Sequence, residues 1–112
     1  MRIWDIAPKH LCHKHLVAEH RELHGLWNIL TIHQGRGGYS KHPETLRWVG
    51  KTAALYKRHE LLVKEFLYRG YRHHTPLNIH LASGLHTQDI LIHTIDEQKH
   101  LLQKKKCDCL LM

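Results

Sequence analysis

The chain has 112 residues, a length that suits one compact domain with a modest core and leaves no room for a separate cofactor domain. Its 17 Lys and Arg residues exceed its 10 Asp and Glu residues, and the formal net charge of +7 favours nucleic acid as the partner. The chain has no signal-peptide pattern and no apolar run long enough to span a membrane. We therefore expect an intracellular protein of the cytoplasm, the nucleoid or a virus-infected cell.

The first predicted element is a helix from Pro8 to about Ile32, because proline suits a first helical turn and none follows until Pro43. One stripe of this helix has mostly apolar residues spaced three and four apart, and it is predicted to face the core. The stripe contains Leu16, His20, Leu23, Trp27 and Leu30.

Glycines divide the middle of the chain. The segment Gly35–Ser40 predicts a charged loop, after which Pro43 restarts helical structure, and Gly50 predicts an interruption. A second long helix is predicted from Thr52 to Arg69, and Gly70 is predicted to end it. The side of this helix that carries apolar residues contains Leu55, His59, Leu62, Phe66 and Arg69.

The last part of the chain is predicted to be irregular over residues 71–86 and helical from about Thr87 to Lys106, where three lysines complement the helix dipole. No stretch has the alternation of a strand long enough to predict one. The predicted fold is all-α, a compact helical bundle of about three main helices with irregular connections. We expect one monomeric domain over residues 1–112, with the last few residues as a flexible tail.

A carboxylate on the first helix is the main candidate for chemistry. Helical spacing puts His15, Ala18 and Glu22 on one face, where the small Ala18 leaves space for the segment before Pro8. A terminal amine has a pKa of about 7.7 to 8.0, so part of it is unprotonated at neutral pH and can attack an electrophilic carbon. The alternative is that Arg21 and Glu22 are solvated surface charges.

Three motifs resemble the pyrimidine-dimer DNA glycosylase (phage endonuclease V) family over roughly residues 1 to 75. The first is Arg2-Ile3 followed by His-Leu-Val-Ala-Glu-His-Arg-Glu-Leu at residues 15–23. The second is Gly-Tyr-Ser-Lys-His-Pro at residues 38–43, and the third is Arg-Gly-Tyr at residues 69–71. The order and spacing of these motifs follow the family pattern.

The resemblance implies a DNA repair glycosylase with abasic-site lyase activity on damaged double-stranded DNA, with no metal or organic cofactor. Its substrate would be ultraviolet pyrimidine dimers or a related base lesion. By family correspondence the nucleophile is the amine of Met1, which the large Arg2 should protect from removal, and Glu22 is the catalytic glutamate. The residues that correspond to those gripping the damaged strand are Arg2, His15 and Arg21.

Some features depart from the family pattern. The chain lacks an aromatic C-terminal tail, and His24-Gly25 stands where the phage enzyme has Pro-Arg. Abasic-site cleavage could therefore survive while dimer recognition is lost or replaced by another lesion. The alternative function is a non-catalytic basic helical module that binds nucleic acid.

Basic residues beside the glycine-containing turns are further candidates for phosphate binding. They are Arg36, Lys41 and Lys51. Ordinary loop solubility is the competing interpretation for all three. Tyr39 is a candidate for base stacking, whereas we interpret the three tryptophans as core residues.

Histidines and cysteines raise other possibilities. His20 and His24 lie one helical turn apart and could share an ion, but their order is not that of a zincin, and we interpret both as core or surface residues. A metal-binding interaction protein would instead carry stoichiometric zinc.

The cysteines Cys12, Cys107 and Cys109 predict reduced thiols. The final Cys109-Leu110-Leu111-Met112 fits a prenylation pattern, yet a frayed chain end explains the same residues, and we expect no membrane partner.

Overall fold

The computed structural model describes residues 2–34, 36–71, 75–105 and 109. All of the regular secondary structure in this part of the chain is helical. The α-helices are α1 (His13–Leu30), α2 (Pro43–Leu46), α3 (Thr52–Tyr68) and α4 (Ile95–Gln103), and short 3-10 turns lie at Pro8–His10 and Ile79–Leu81. No strand occurs within these ranges. The all-α fold with three main helices is confirmed.

Helices α1 and α3 pack against each other and form the centre of the core. The predicted stripe on α1 is largely confirmed, because Leu16, Leu23 and Trp27 are buried while His20 and Leu30 are partly exposed. Residues from several segments complete the core. They include Ile3, Trp4, Ile6, Leu11, Leu26, Leu55, Leu62, Phe66 and Leu102.

The first helix begins later than predicted. Pro8 starts a 3-10 turn that ends at His10, and the extended backbone of the following Leu11 directs the chain away from a continuous helix. Leu11 is buried in the core at 2% exposure, so the break places an apolar side chain inside. Helix α1 then starts at His13, with Cys12 as its N-cap residue.

Helix α3 matches its predicted bounds closely, beginning at Thr52 and ending at Tyr68. Gly50 and Gly70 flank it with positive φ angles of 74° and 78°, a conformation that favours glycine. No side chain caps its first turn. Instead the amides of Ala53 and Ala54 donate to the carbonyls of Ser83 and Leu85, so the irregular segment satisfies the helix start.

The last helix was predicted to begin near Thr87, and that prediction is wrong. Helix α4 begins at Ile95, where Thr94 and Glu97 form a capping box. The preceding residues make other contacts, since the side-chain amide of Gln88 donates to the Arg47 carbonyl and the Ile90 carbonyl accepts from the Arg47 side chain. These tertiary hydrogen bonds replace the helical ones that the pattern suggested.

Candidate active site

The N-terminal segment is held by side chains from distant parts of the chain. The Ile3 amide donates to Glu44 Oε1 at 3.3 Å, and the Ile3 carbonyl accepts from Arg47 Nη2 at 2.9 Å. Arg47 also donates to Glu44 at 2.9 Å and to Asp5 at 3.1 Å. This network fixes the chain direction two residues from its start.

A second network anchors the same segment from α1 and α3. Glu19 and Arg58 form a buried ion pair, and Arg58 Nη1 donates to the Ile6 carbonyl at 2.8 Å. On α4, Gln98 accepts from the Asp5 amide at 2.8 Å and donates to the Asp5 carboxylate at 3.0 Å. All three long helices therefore position the N-terminal segment.

The Glu22 carboxylate, on α1, lies beside the first residues of the chain. The backbone amide of Arg2 donates to Glu22 Oε2 at 2.6 Å. Met1 itself lies outside the described residues.

An open pocket of about 270 Å³ adjoins this carboxylate. It is lined by Glu22, Gly25, Leu26, Ile29 and Tyr39. Gly25 stands one helical turn after Glu22, and a Cβ there would meet nothing within 4 Å, so its missing side chain leaves open space. The pocket offers a carboxylate, apolar side chains and an exposed aromatic ring.

A neighbouring pocket extends this surface toward the glycine-containing loop. It shares Ile29 and Tyr39 with the Glu22 pocket and adds His33, Arg36, Gly37 and Gly38. We call the two pockets together the Glu22–Arg36 groove. The groove has a carboxylate at one end and a guanidinium at the other, with the Tyr39 ring, 60% exposed, on both parts.

A sequence model of the family described as pyrimidine dimer DNA glycosylase matches residues 1–79. The chain belongs to this family. Membership indicates DNA as the substrate and base excision as the activity, in agreement with the motifs in the sequence. Comparisons with curated proteins and with solved structures found no match.

Among the described residues, no helix combines the length and apolar character needed to cross a membrane.

The residues predicted to contact DNA occupy different environments. Arg21, Arg36 and Lys41 are exposed to solvent. Arg2 is partly buried, with its guanidinium 4.9 Å from the centre of the Trp4 ring and Nη1 3.1 Å from His93 Nδ1. Its backbone, rather than its side chain, makes the contact with Glu22.

Lys51 is placed differently from its predicted role in phosphate binding. It is 6% exposed, and its ammonium donates to Gln88 at 2.8 Å and to Asp89 at 3.3 Å. A buried ammonium with protein acceptors joins the segment before α4 to the start of α3. Its ammonium therefore has protein acceptors at the place where the sequence predicted a phosphate.

His15 also has protein partners. Its Nδ1 lies 3.2 Å from Cys12 Sγ and 3.3 Å from Cys109 Sγ, and its ring meets the edge of Trp4. Burial lowers the pKa of His15, and the positive charges of Lys105 and Lys14 lower it further. The imidazole is thus favoured in its neutral form, which suits a sulfur or metal partner better than a phosphate.

Sequence reasoning missed the buried charges that build this site. Glu19, Glu44, Arg47 and Arg58 are all less than 9% exposed. A signal was present for Glu19 and Arg58, because each stands three residues after a buried leucine and four before the next. A charge in the apolar stripe of a helix indicates a buried pair or a site.

Proposed function

We propose that the protein is a DNA glycosylase and abasic-site lyase whose nucleophile is the amine of Met1 and whose catalytic carboxylate is Glu22. The observation that carries the proposal is the 2.6 Å hydrogen bond from the Arg2 amide to Glu22 Oε2. This contact with the backbone of the second residue supports a catalytic role for Glu22 beside the N-terminal amine. Membership of the pyrimidine dimer DNA glycosylase family supports the same assignment.

The reaction begins when the amine attacks C1′ of the lesion nucleotide. The bond from C1′ to the base breaks, and the base takes the electron pair and later a proton. Opening of the sugar ring moves the C1′–O4′ electron pair onto O4′, which is protonated, and leaves a C1′=N iminium. Loss of a C2′ proton then expels the 3′ phosphate oxygen and nicks the strand, after which water hydrolyses the imine and restores the amine.

Glu22 serves two steps of this sequence. It accepts a proton from the attacking amine and passes it to O4′ as the sugar ring opens, and the carboxylate, ionised again, stabilises the resulting iminium by its negative charge. Both tasks require a carboxylate that is close to the amine and ionised. The open pocket at Glu22 gives the deoxyribose access to this carboxylate.

The Glu22–Arg36 groove is the proposed DNA contact. A base displaced from the stack could lie on Tyr39, while Arg21, Arg36 and Lys41 bind phosphates. Phosphate contacts hold the duplex without reading its sequence, which is what an enzyme that recognises damage requires. The proposed substrate is a cyclobutane pyrimidine dimer or a related lesion.

The test uses one duplex with a single abasic site and another with a single thymine dimer, both end-labelled. Protein that starts at Met1 should nick both duplexes, and borohydride should trap a cross-link that maps to the Met1 peptide. Protein with two residues added before Met1 should lose nicking and trapping. The circular dichroism spectra of the two proteins should agree.

Glu22→Gln is the matched variant within the site. It should lower the rate of nicking by about 10²- to 10⁴-fold while DNA affinity stays within a few-fold of the parent. Equal nicking by the extended and native proteins would exclude the amine as nucleophile. Binding without nicking of either duplex by the native protein would instead favour the non-catalytic binding module.

A further inference from the structure

We propose that the chain binds a zinc ion through His20, His24 and His59, a site separate from the imine chemistry. The three Nε2 atoms form a nearly equilateral triangle. Their separations are 3.2 Å for His20 and His59, 3.3 Å for His20 and His24, and 3.1 Å for His24 and His59. His59 is fully buried, and the other two are partly buried.

Hydrogen bonding alone does not account for this triangle. In a neutral imidazole each Nε2 either carries a proton or offers a lone pair. Among three such atoms at least two must be of the same kind, so at least one of the three contacts joins two donors or two acceptors. A cation at the centre lets all three atoms offer lone pairs to the same point.

The spacing fits a tetrahedral zinc site. Zn–N bonds of about 2.0 to 2.1 Å place neighbouring ligand nitrogens about 3.3 Å apart at tetrahedral angles. The observed separations of 3.1 to 3.3 Å match this value. The carbonyl oxygen of Thr75 also lies close, 3.1 Å from His59 Nε2.

A carboxylate orients one of the ligands from behind. Glu60 Oε1 lies 3.0 Å from His59 Nδ1, so the imidazole can donate from Nδ1 while Nε2 keeps its lone pair. This carboxylate–histidine arrangement is common at zinc sites, where it fixes the tautomer and the ring direction. The interpretation of His20 and His24 as ordinary core or surface residues overlooked His59, which α3 supplies.

The ion would join α3 to the turn of α1 that carries the proposed catalytic carboxylate. His20 and His24 stand two residues before and two after Glu22. A zinc ion bonded to both, and to His59, would restrict rotation and sliding of this turn against α3. We therefore assign the site a stabilising role.

A second, independent group indicates another zinc site at the start of α1. We infer it from Cys12, His15 and Cys109, in which His15 Nδ1 lies 3.2 Å and 3.3 Å from the two Sγ atoms. The Cys12 amide also donates to Cys109 Sγ at 3.1 Å, a contact that stabilises thiolate charge. Two sulfurs and one nitrogen around one point form a set of ligands that zinc prefers.

The first experiment measures metal in the purified full-length protein after dialysis against metal-free buffer. Two zinc ions per chain are expected for the parent, and one each for His24→Ala and for Cys12→Ser. His100→Ala, which changes an exposed histidine outside both groups, should keep two. An unchanged zinc content in His24→Ala would overturn the histidine site, and the same result in Cys12→Ser would overturn the cysteine site.

Cobalt distinguishes the two sites by spectroscopy. Apo protein, prepared with a chelator, is titrated with Co²⁺ and its absorption is recorded. Sulfur-to-cobalt charge-transfer absorption should appear in the parent and in His24→Ala and should be lost in Cys12→Ser. Its persistence in Cys12→Ser would contradict ligation by Cys12, and its absence from the parent would contradict the cysteine site as a whole.

Thermal unfolding of the parent covers the case in which a variant fails to fold. The chelated protein should unfold at a lower temperature, and added Zn²⁺ should raise the midpoint in a concentration-dependent way, whereas Mg²⁺ should not. An unfolding midpoint that is the same with and without zinc would contradict both sites. No measurement in this series uses DNA, so failure of the metal proposal and failure of the imine mechanism are separate results.

Discussion

Arg58 donates two hydrogen bonds to the Glu19 carboxylate, at 2.7 Å and 2.9 Å, where α1 and α3 meet. Both side chains are buried, and Arg58 also donates to the Ile6 carbonyl at 2.8 Å. Burial raises the pKa of Glu19, while the Arg58 guanidinium opposes that rise. The pair therefore links two helices and the N-terminal segment through fully satisfied charges.

Removing one member of this pair should be strongly destabilising. Arg58→Met leaves the Glu19 carboxylate buried without its cation, and we expect a loss of about 3 to 5 kcal/mol in the free energy of unfolding. Urea denaturation measures this loss. The double variant Glu19→Leu with Arg58→Met removes both charges and should lose less than Arg58→Met alone. A double variant at least as destabilised as the single one would contradict the explanation by an unpaired charge.

The exposed and buried cations should respond differently to substitution. Arg36→Ala is expected to weaken binding to DNA of any base sequence. It should also reduce the slope of log affinity against log salt concentration by about 1. Lys51→Ala should leave that slope unchanged and lower the stability, because its ammonium is buried against Gln88 and Asp89. Fluorescence anisotropy over a range of salt concentrations, with a parallel denaturation series, measures both effects. An equal change of slope in the two variants would contradict the distinction.

Tyr39 is expected to act through its aromatic face. Tyr39→Ala should weaken binding to lesion-containing DNA by about 1 to 3 kcal/mol, the range found for stacking on a single base, while Tyr39→Phe should retain most of the affinity. Tyr68→Ala is the matched control, since Tyr68 is 86% exposed on α3 and lies outside the Glu22–Arg36 groove. A loss for Tyr39→Phe as large as for Tyr39→Ala would indicate a role for the hydroxyl instead.

The sequence predicted the long helices well because their apolar periodicity and glycine boundaries are local signals. It predicted where α3 begins but not how its first turn is capped, since the amides of Ala53 and Ala54 donate to the carbonyls of Ser83 and Leu85 about thirty residues away. Gly84 lies between these two residues at φ 76°, and a Cβ there would come within 2.0 Å of the Gly50 carbonyl oxygen. Such a close approach depends on how two distant segments meet.

In the candidate site, too, local sequence signals identify individual residues but do not predict the contacts between distant segments. The motif around Glu22 identifies the carboxylate, yet its contact with the Arg2 amide depends on the path of the N-terminal segment. The contact between His59 and the two α1 histidines depends on the relative rotation of α1 and α3. Helical periodicity determines which face of a helix is buried, but it does not determine which residue on another helix that face meets.

The capping box of α4 should make stability depend on pH in a defined direction. The Thr94 amide donates to the Glu97 carboxylate at 2.9 Å, and this hydrogen bond, followed by hydrogen bonding from the Thr94 side chain, lowers the pKa of Glu97. Because the folded pKa lies below the unfolded one, the stabilisation is present above the unfolded pKa. It is lost as pH falls through the folded pKa.

The matched variants are Glu97→Gln, which removes the titrating group, and Thr94→Ala, which removes the hydroxyl that accepts from the Glu97 amide. We expect Thr94→Ala to cost about 1 kcal/mol at neutral pH. The stability difference between the parent and Glu97→Gln should be larger at pH 7 than at pH 3, and this pH dependence should be reduced in the Thr94→Ala background. Urea denaturation at the two pH values measures it, and a difference that does not change with pH would contradict the assignment. Since Gln98 of α4 holds Asp5, a loosened α4 should also loosen the segment that leads to Glu22.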